Sequence, residues 1–406
     1  MINLEISPGH QNLANMIHGM AKGMIRPLAR KYDTLEHEKA VELENLAKMM
    51  EKMGGGMGGL GGSKKDKKEG ESEPQIKNGT QMLGVIGAME MCWACTGLTM
   101  AIPGMGLGNA AIDAVATDEQ KERFGKVFAA MAITEPGCGS DSANISTTAR
   151  LVGDEWIING EKIFVTDGGQ CTHIVVWATL DKSLGKAAIK SFVVPKDAPG
   201  LQVVRLEKKM GIRASDTAAI TFTDCRIPKG NILGDPSIAQ TAEERKKAFG
   251  GVMQTFDNTR PAVGAMANGV ARAALDMTRE ILEKEGVILD YNKRRWNNSA
   301  LQAEFYLMEA EYEAARLLIL KAAWLADNKI PNSKEASMCK AKSGRVGSYI
   351  TLRCVEICGS LGYGEEYLLE KFARDSKILD IFEGTQQVQQ LIVARHQLGL
   401  SSRELK

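Results

Sequence analysis

The sequence predicts a multi-domain α+β chain. An N-terminal α-helical domain (1–130) leads to a middle antiparallel β domain (131–240) and then a C-terminal helix bundle (241–406). Three observations carry this reading. Up to about residue 127 apolar residues recur at steps of three and four. Between about 131 and 240 they gather into short runs split by Gly, Pro and Asp. From about 241 the helical period returns and holds.

The first domain opens on helix. Met16, Met20, Met24 and Leu28 fall at i, i+4 steps, and LEHEKAVELENLAKMMEKM repeats apolar residues at helical spacing. The composition then breaks into MGGGMGGLGG and KKDKKEGESEP. This glycine- and lysine-rich insertion, 53–75, has little apolar surface to bury and is expected to be flexible. Gly54, Gly56 and Gly59 match G-x-G-x-x-G by chance, because no strand precedes them. Residues 80–127 return to helix with small residues that permit close packing. In the middle domain Asn159-Gly160 stands between two apolar runs and predicts a hairpin turn. HIVVWATL, IKSFVVP, LQVVRLE and AAITFTDCRI read as further short strands. In the last domain Leu301, Phe305, Met308, Tyr312, Ala315 and Ile319 form the buried stripe of a packed helix.

Composition excludes several classes. Lys+Arg is 51 against Asp+Glu 50, a formal net charge of +1. There is no basic field for nucleic acid. No run reaches the roughly 18–20 uninterrupted apolar residues expected of a membrane span. MINLEISPGHQ lacks the features of a signal peptide, so a cytoplasmic protein is expected. Two cysteine pairs, Cys92 with Cys95 and Cys354 with Cys358, have only their spacing to suggest zinc or redox chemistry. They read as buried small residues, and no metal is expected. The P-loop, H-E-x-x-H and G-x-S-x-G templates are absent, and histidines 10, 18, 37, 173 and 396 show no ligand spacing.

Three segments carry chemistry. MAITEPGCGSD (131–141) joins the first two domains, and its glycines can turn backbone N–H groups toward an electron-rich ligand edge. It reads equally as an ordinary junction turn. KIFVTDGG (162–169) sets Phe164 and Thr166 on one face of a strand. That suits a flat heteroaromatic ring or a plain cross-strand packing pair. In LDIFEGTQQVQQLIVARHQLG (379–399), Glu383 lies between an apolar run and Gly384-Thr385. Partial desolvation would favour its neutral form and make it a general base. The alternative is a helix-start acid stabilised by the dipole.

Taken together and in this order, these segments resemble the acyl-CoA dehydrogenase family. KMGIRASDTAAITFTDCRIP (209–228) resembles the end of that family's β domain. FDNTRPAVGAMANGVARAALD (256–276) resembles the start of its long C-terminal helix. The likeness runs from about 110 to 399. It implies a barrel-like middle domain, a C-terminal four-helix bundle, and FAD held between them. Residues of the 131–140 loop, namely Met131, Ile133, Thr134, Gly139 and Ser140, would address the flavin and its pyrophosphate. Phe164 would stack near the ring and Thr166 would address N5. Thr385 and Gln387 match further flavin contacts. Glu356 and Gly359 fall where the family approaches the FAD diphosphate. Ser140, Asp257, Arg260 and Gly384 match positions that touch the acyl-CoA substrate. Glu383 matches the base that removes the α-proton. The family's other base position is occupied here by Thr259, which cannot serve.

The resemblance implies an acyl-CoA dehydrogenase that passes electrons to an electron-transfer flavoprotein and forms a dimer or tetramer. Two alternatives stand beside it, a hetero-oligomer whose partner completes the FAD site and an acyl-CoA oxidase. The chain departs from the family at three places. EKEGVILDYNKRRWNN (283–298) lacks the usual Arg-x-x-Phe-Gly stretch. VEICGSLGYG (355–364) carries Glu356 and Ser360 in place of an amide and a glycine. The 53–75 insertion replaces the stretch that ends in a Tyr-Gly-Gly turn.

Overall fold

The computed structural model describes residues 4–52, 78–103, 107–238, 242–401 and 404–405, with backbone alone at 48–52, 242–258 and 295. The expected flexible insertion at 53–75 lies outside the described residues. Helices come first: α1 (Pro8–Met20), α2 (Ala29–Leu35), α3 (Val41–Lys52), α4 (Thr80–Met100), α5 (Leu107–Val115) and α6 (Asp118–Phe124). Ser7 caps α1 by accepting from the His10 N–H, with Pro8 at the first helical position. The methionine row does not face the core as such. Met16 and Met24 are exposed, and Ile17, Ala21, Ile25 and Ala29 are buried instead. A π turn at Ala21–Ile25 and a 3-10 turn at Arg26–Leu28 separate α1 from α2.

No uninterrupted apolar run in the sequence has the length of a membrane span, yet α4 is a 21-residue helix long and apolar enough to cross a membrane. Apolar side chains on all sides let it serve as a core helix, and most of it is buried against α1, α7 (Ala242–Lys284) and α8 (Ala300–Asp327). Asp327, at the end of α8, accepts from the N–H groups of Gly79, Gln81 and Met82 at 2.7–2.9 Å, so one helix caps another.

Among the described residues seven strands, β1 (Ala129–Ala132), β2 (Thr148–Val152), β3 (Glu155–Thr166), β4 (His173–Thr179), β5 (Ile189–Pro195), β6 (Leu201–Leu206) and β7 (Thr217–Pro228), form one sheet. Its order is β1-β4-β2-β3-β7-β6, with β5 added on β4. The pairing is antiparallel except where β1 and the first residue of β2 run parallel to β4. Trp156, Ile158, Ile174, Phe192, Ile220 and Phe222 fill one side. Val175 and Val193 pack on the other against Ile112 of α5 and Phe124 of α6.

Asn159-Gly160 is not the hairpin turn. The turn lies at Gly153-Asp154, and Asn159-Gly160 sits inside β3 at an irregularity in its pairing with β7. Gly160 has φ +146°, and a Cβ there would lie 2.7 Å from the Thr147 Cα. Asn159 is held through its side chain, which accepts from the Asp224 N–H at 2.8 Å. The apolar runs on either side therefore continue as one strand.

The closing helices are α7 (Ala242–Lys284), α8, α9 (Ser333–Tyr363), α10 (Leu369–Ser376) and α11 (Gln386–Leu398). Ser299 and Gln302 form a capping box at the start of α8. Phe305, Met308, Ala315 and Ile319 are buried in the main core, with Leu301 and Tyr312 packed at its margin. Cys92 and Cys354 belong to that same core, where burial pushes both thiols up to about 12 and keeps them protonated. The helical and sheet regions are tied together at Asp375. Its carboxylate accepts from the Ile212 N–H at 2.5 Å and from the buried ammonium of Lys371, which also reaches Cys95.

Candidate active site

The 131–140 loop leaves the end of β1 and is anchored from beneath by charge. The Glu135 carboxylate accepts from the Ser146 N–H and hydroxyl, both at 2.6 Å, from the Thr147 N–H at 2.9 Å and from Lys162 Nζ at 2.8 Å. Both Glu135 and Lys162 are buried. Burial alone would raise the Glu135 carboxyl, but Lys162, Ser146 and Thr147 outweigh it and bring the pKa down to about 2. Lys162 also donates to the Ile133 carbonyl at 3.1 Å, and the Ile163 N–H donates to the Thr134 carbonyl at 2.9 Å. The loop is thereby fastened along β3, next to Phe164. Met131 and Ile133 are half-buried beside Trp177, whereas Gly139 and Ser140 are exposed.

An extra residue enters β3 between Lys162 and Val165, so simple alternation is interrupted there. Phe164 sits at φ +57° and is 60% exposed, and Thr166 is half-buried. A bulky residue in the left-handed region costs roughly 1–3 kcal/mol, and such strain concentrates at working sites. An exposed ring at Phe164, a loop fastened beside it with half-buried Met131 and Ile133, and open space over Gly137 and Gly139 suit a flat heteroaromatic cofactor.

The second half of the site is helical. Glu383 precedes α11, whose N-cap Thr385 accepts from the Val388 N–H, so the carboxylate lies outside the helix rather than in its first turn. Glu383 has φ +54° and Gly384 has φ +95°. The Thr259 hydroxyl, from α7, donates to Glu383 Oε2 at 2.7 Å. The residue is part-exposed, but its carboxyl end is enclosed by protein. Burial raises that carboxyl above its ordinary value, opposed by Thr259, Lys340 and Arg260. Pro261 follows Arg260 within α7 and removes a backbone donor there, which leaves the carbonyl of residue 257 without its helical partner.

The structure groups Glu383, Gly384 and Thr385 with Thr259, Arg260 and Lys340 at the crossing of α7, α9 and α11. Gln387 is on the exposed side of α11. The Asp257 side chain lies outside the described residues. Glu356 and Gly359 are not brought to this crossing. They lie near the far end of α9, about 24–28 Å along the helix from Lys340. Glu356 pairs there with Arg353, and Gly359 bends the helix with φ +55°.

Sequence reasoning missed Glu135, Lys162, Lys340 and Gln389. Lys162 offered little signal, because it follows Glu161 and reads as the polar start of the run Ile163-Phe164-Val165. Lys340 offered none, because its helix is mixed in character.

Residues 130–225 match the family described as acyl-CoA dehydrogenase, middle domain, and residues 249–398 match acyl-CoA dehydrogenase, C-terminal domain. The chain is 38% identical over 288 residues to the short-chain specific acyl-CoA dehydrogenase, mitochondrial, of Bos taurus, covering 70% of this chain and 67% of that protein. The corresponding match to the Mus musculus protein is 38% identical and covers 68% of this chain and 64% of that one, so the chain spans about two thirds of these relatives. A probable acyl-CoA dehydrogenase of Bacillus subtilis is 34% identical, covering 75% of this chain and 78% of that protein. Butyryl-CoA dehydrogenase from Megasphaera elsdenii superposes with a TM-score of 0.81 at 27% identity, over 98% of this chain and 100% of that one.

Proposed function

The chain belongs to the acyl-CoA dehydrogenase family, and on that premise we propose that it oxidises an acyl-CoA thioester to the trans-2-enoyl-CoA, with Glu383 as the base. Members of the family are FAD-dependent oxidoreductases that act on acyl-CoA and oligomerise. The single observation that supports this assignment of the base is the state of Glu383. Its carboxyl is raised by burial, hydrogen-bonded to Thr259 and held on strained backbone.

A thioester α-proton is weakly acidic, so its removal calls for a desolvated carboxylate. The α C–H bond breaks with its proton going to Glu383, the β C–H bond breaks with its electron pair, and the Cα–Cβ double bond forms. Bound FAD supplies the acceptor for the hydride. Thr134, Ser140, Phe164 and Thr166 would hold the cofactor on the sheet side, and Thr385 and Gln387 on the helical side. Arg260 stands beside the base, where it favours the ionised form before the proton is taken. The buried Glu135–Lys162 pair keeps the 131–140 loop in place.

Short-chain thioesters are the proposed substrates, because the bovine and mouse relatives are named for short chains. An electron-transfer flavoprotein is the proposed acceptor. It draws support from a protein of Acidaminococcus fermentans, 28% identical with a TM-score of 0.81. That structure is titled for an electron transferring flavoprotein and flavin-based electron bifurcation. A dimer or tetramer built through the C-terminal helices is proposed as well.

The test is anaerobic titration of the purified yellow protein with a panel of acyl-CoA esters, following loss of flavin absorbance. Bleaching that is strongest with short chains, and reoxidation by an electron-transfer flavoprotein, is the expected result. A folded, colourless chain that takes up no added FAD would overturn the proposal. Rapid peroxide formation in air would replace it with the oxidase reading.

A further inference from the structure

Two side chains from different helices converge on the backbone beside the base. Lys340, on α9, is buried, and its Nζ donates to the Gly384 carbonyl at 2.7 Å. Gln389, in the first turns of α11, is buried as well. Its amide donates to the Glu383 carbonyl at 3.0 Å and the Gly384 carbonyl at 3.2 Å. Both carbonyls belong to residues at positive φ. For Glu383 that conformation persists only if its surroundings over-determine it. Lys340 and Gln389 grip the backbone there through three hydrogen bonds to its carbonyls.

We propose that Lys340 and Gln389 are positioning residues for the base. They clamp the carbonyls of Glu383 and Gly384, and so fix where the Glu383 carboxylate meets the substrate. The inference rests on the reading of Glu383 as the base.

Lys340 does a second job through its charge. The groups that face the Glu383 carboxyl are Thr259 and Arg260 from α7 and Lys340 from α9. Asp380, in the turn that follows α10, faces Lys340 in turn. Burial lowers Lys340 to about 8 against the pull of Asp380 and Glu383, so it stays largely protonated at neutral pH and below. Removing it leaves burial acting on Glu383 with Thr259 and Arg260 as the remaining counterweights. The carboxyl would then hold its proton to higher pH.

The experiment compares Lys340→Met, Lys340→Arg, Gln389→Leu and Glu383→Gln holoenzymes. It measures flavin reduction at saturating butyryl-CoA against pH, with FAD content and Tm alongside. Lys340→Met is expected to lower the rate at neutral pH at least tenfold and to move the acid limb upward in pH. Lys340→Arg keeps the charge and should restore the limb toward its parental position. Gln389→Leu should lower the rate without moving the limb. A purely structural role would lower Tm or FAD content and leave the limb unmoved.

A Lys340→Met enzyme with an unmoved limb and a rate within twofold of the parent overturns the proposal. If that variant does not fold, a Gln389→Leu rate within twofold of the parent overturns it instead. Glu383→Gln separates the two levels. Parental flavin reduction in that variant removes the base assignment itself, whereas an inactive Glu383→Gln beside an unaffected Lys340→Met removes only the clamp.

Discussion

Replacing Glu135 with Gln keeps the size of the side chain and removes its charge. Lys162 is then left buried with the Ile133 carbonyl and a neutral amide in place of a carboxylate. Two routes give the magnitude. Breaking one side of a buried ion pair costs about 3–5 kcal/mol. The drop of the Glu135 pKa from 4.5 to about 2 corresponds to about 3 kcal/mol of native-state stabilisation. Because the folded value lies below the unfolded one, this stability is fully present above about pH 4.5 and is lost as pH falls through about 2. The assay is thermal unfolding of parent, Glu135→Gln, Lys162→Met and the double variant from pH 7 to pH 3. The gap between parent and Glu135→Gln should be widest at neutral pH and narrow below pH 4. The double variant should be less destabilised than the two single losses combined, by about 2 kcal/mol. A gap that stays constant with pH, together with additive losses, would refute the pairing argument.

Two further outcomes test other parts of the structure. Gly384→Ala should cut flavin reduction at least tenfold while FAD stays bound, since φ is +95° and an added Cβ would run into the Gln389 amide; stopped-flow traces and FAD content check it. Asp216 is buried beside Asp167, and burial pushes its carboxyl up to about 6. A raised acid favours the fold below its unfolded pKa of 3.8, and that advantage is lost as pH rises through 6. Asp216→Asn should therefore gain about 1–3 kcal/mol over the parent at pH 8 and nothing at pH 4, read from Tm at the two values.

Much of this architecture was legible in the sequence because its signals are local. The strands β4 to β7 are short apolar runs between turn residues, and the Leu301–Ile319 stripe follows a single helix face. Glu383 was conspicuous because an ionisable residue interrupts an apolar run just before a glycine. What stayed hidden depends on partners far away in the chain. Asn159-Gly160 looked like a turn, and only the approach of Thr147 and Asp224 keeps it within a strand. The positive φ values at Phe164 and Glu383 are imposed by tertiary contacts on residues that would not choose them alone. Lys340 stands 43 residues before Glu383, and no short-range pattern links a buried lysine on one helix to a carbonyl before another.

The central claim is that Glu383 takes the α-proton, and Glu383→Gln tests it most directly. The amide keeps the size of the side chain and can still receive the Thr259 hydrogen bond, now made to Oε2 at 2.7 Å. FAD content and Tm should stay near parental values, because Lys340 and Gln389 still hold the backbone. General-base catalysis contributes about 10²–10⁴-fold, and a proton this weakly acidic belongs at or above the top of that range. In stopped-flow mixing with a good acyl-CoA substrate, flavin reduction in the variant should slow by at least about 10³-fold. Reduction within tenfold of the parental rate would show that another group removes the proton.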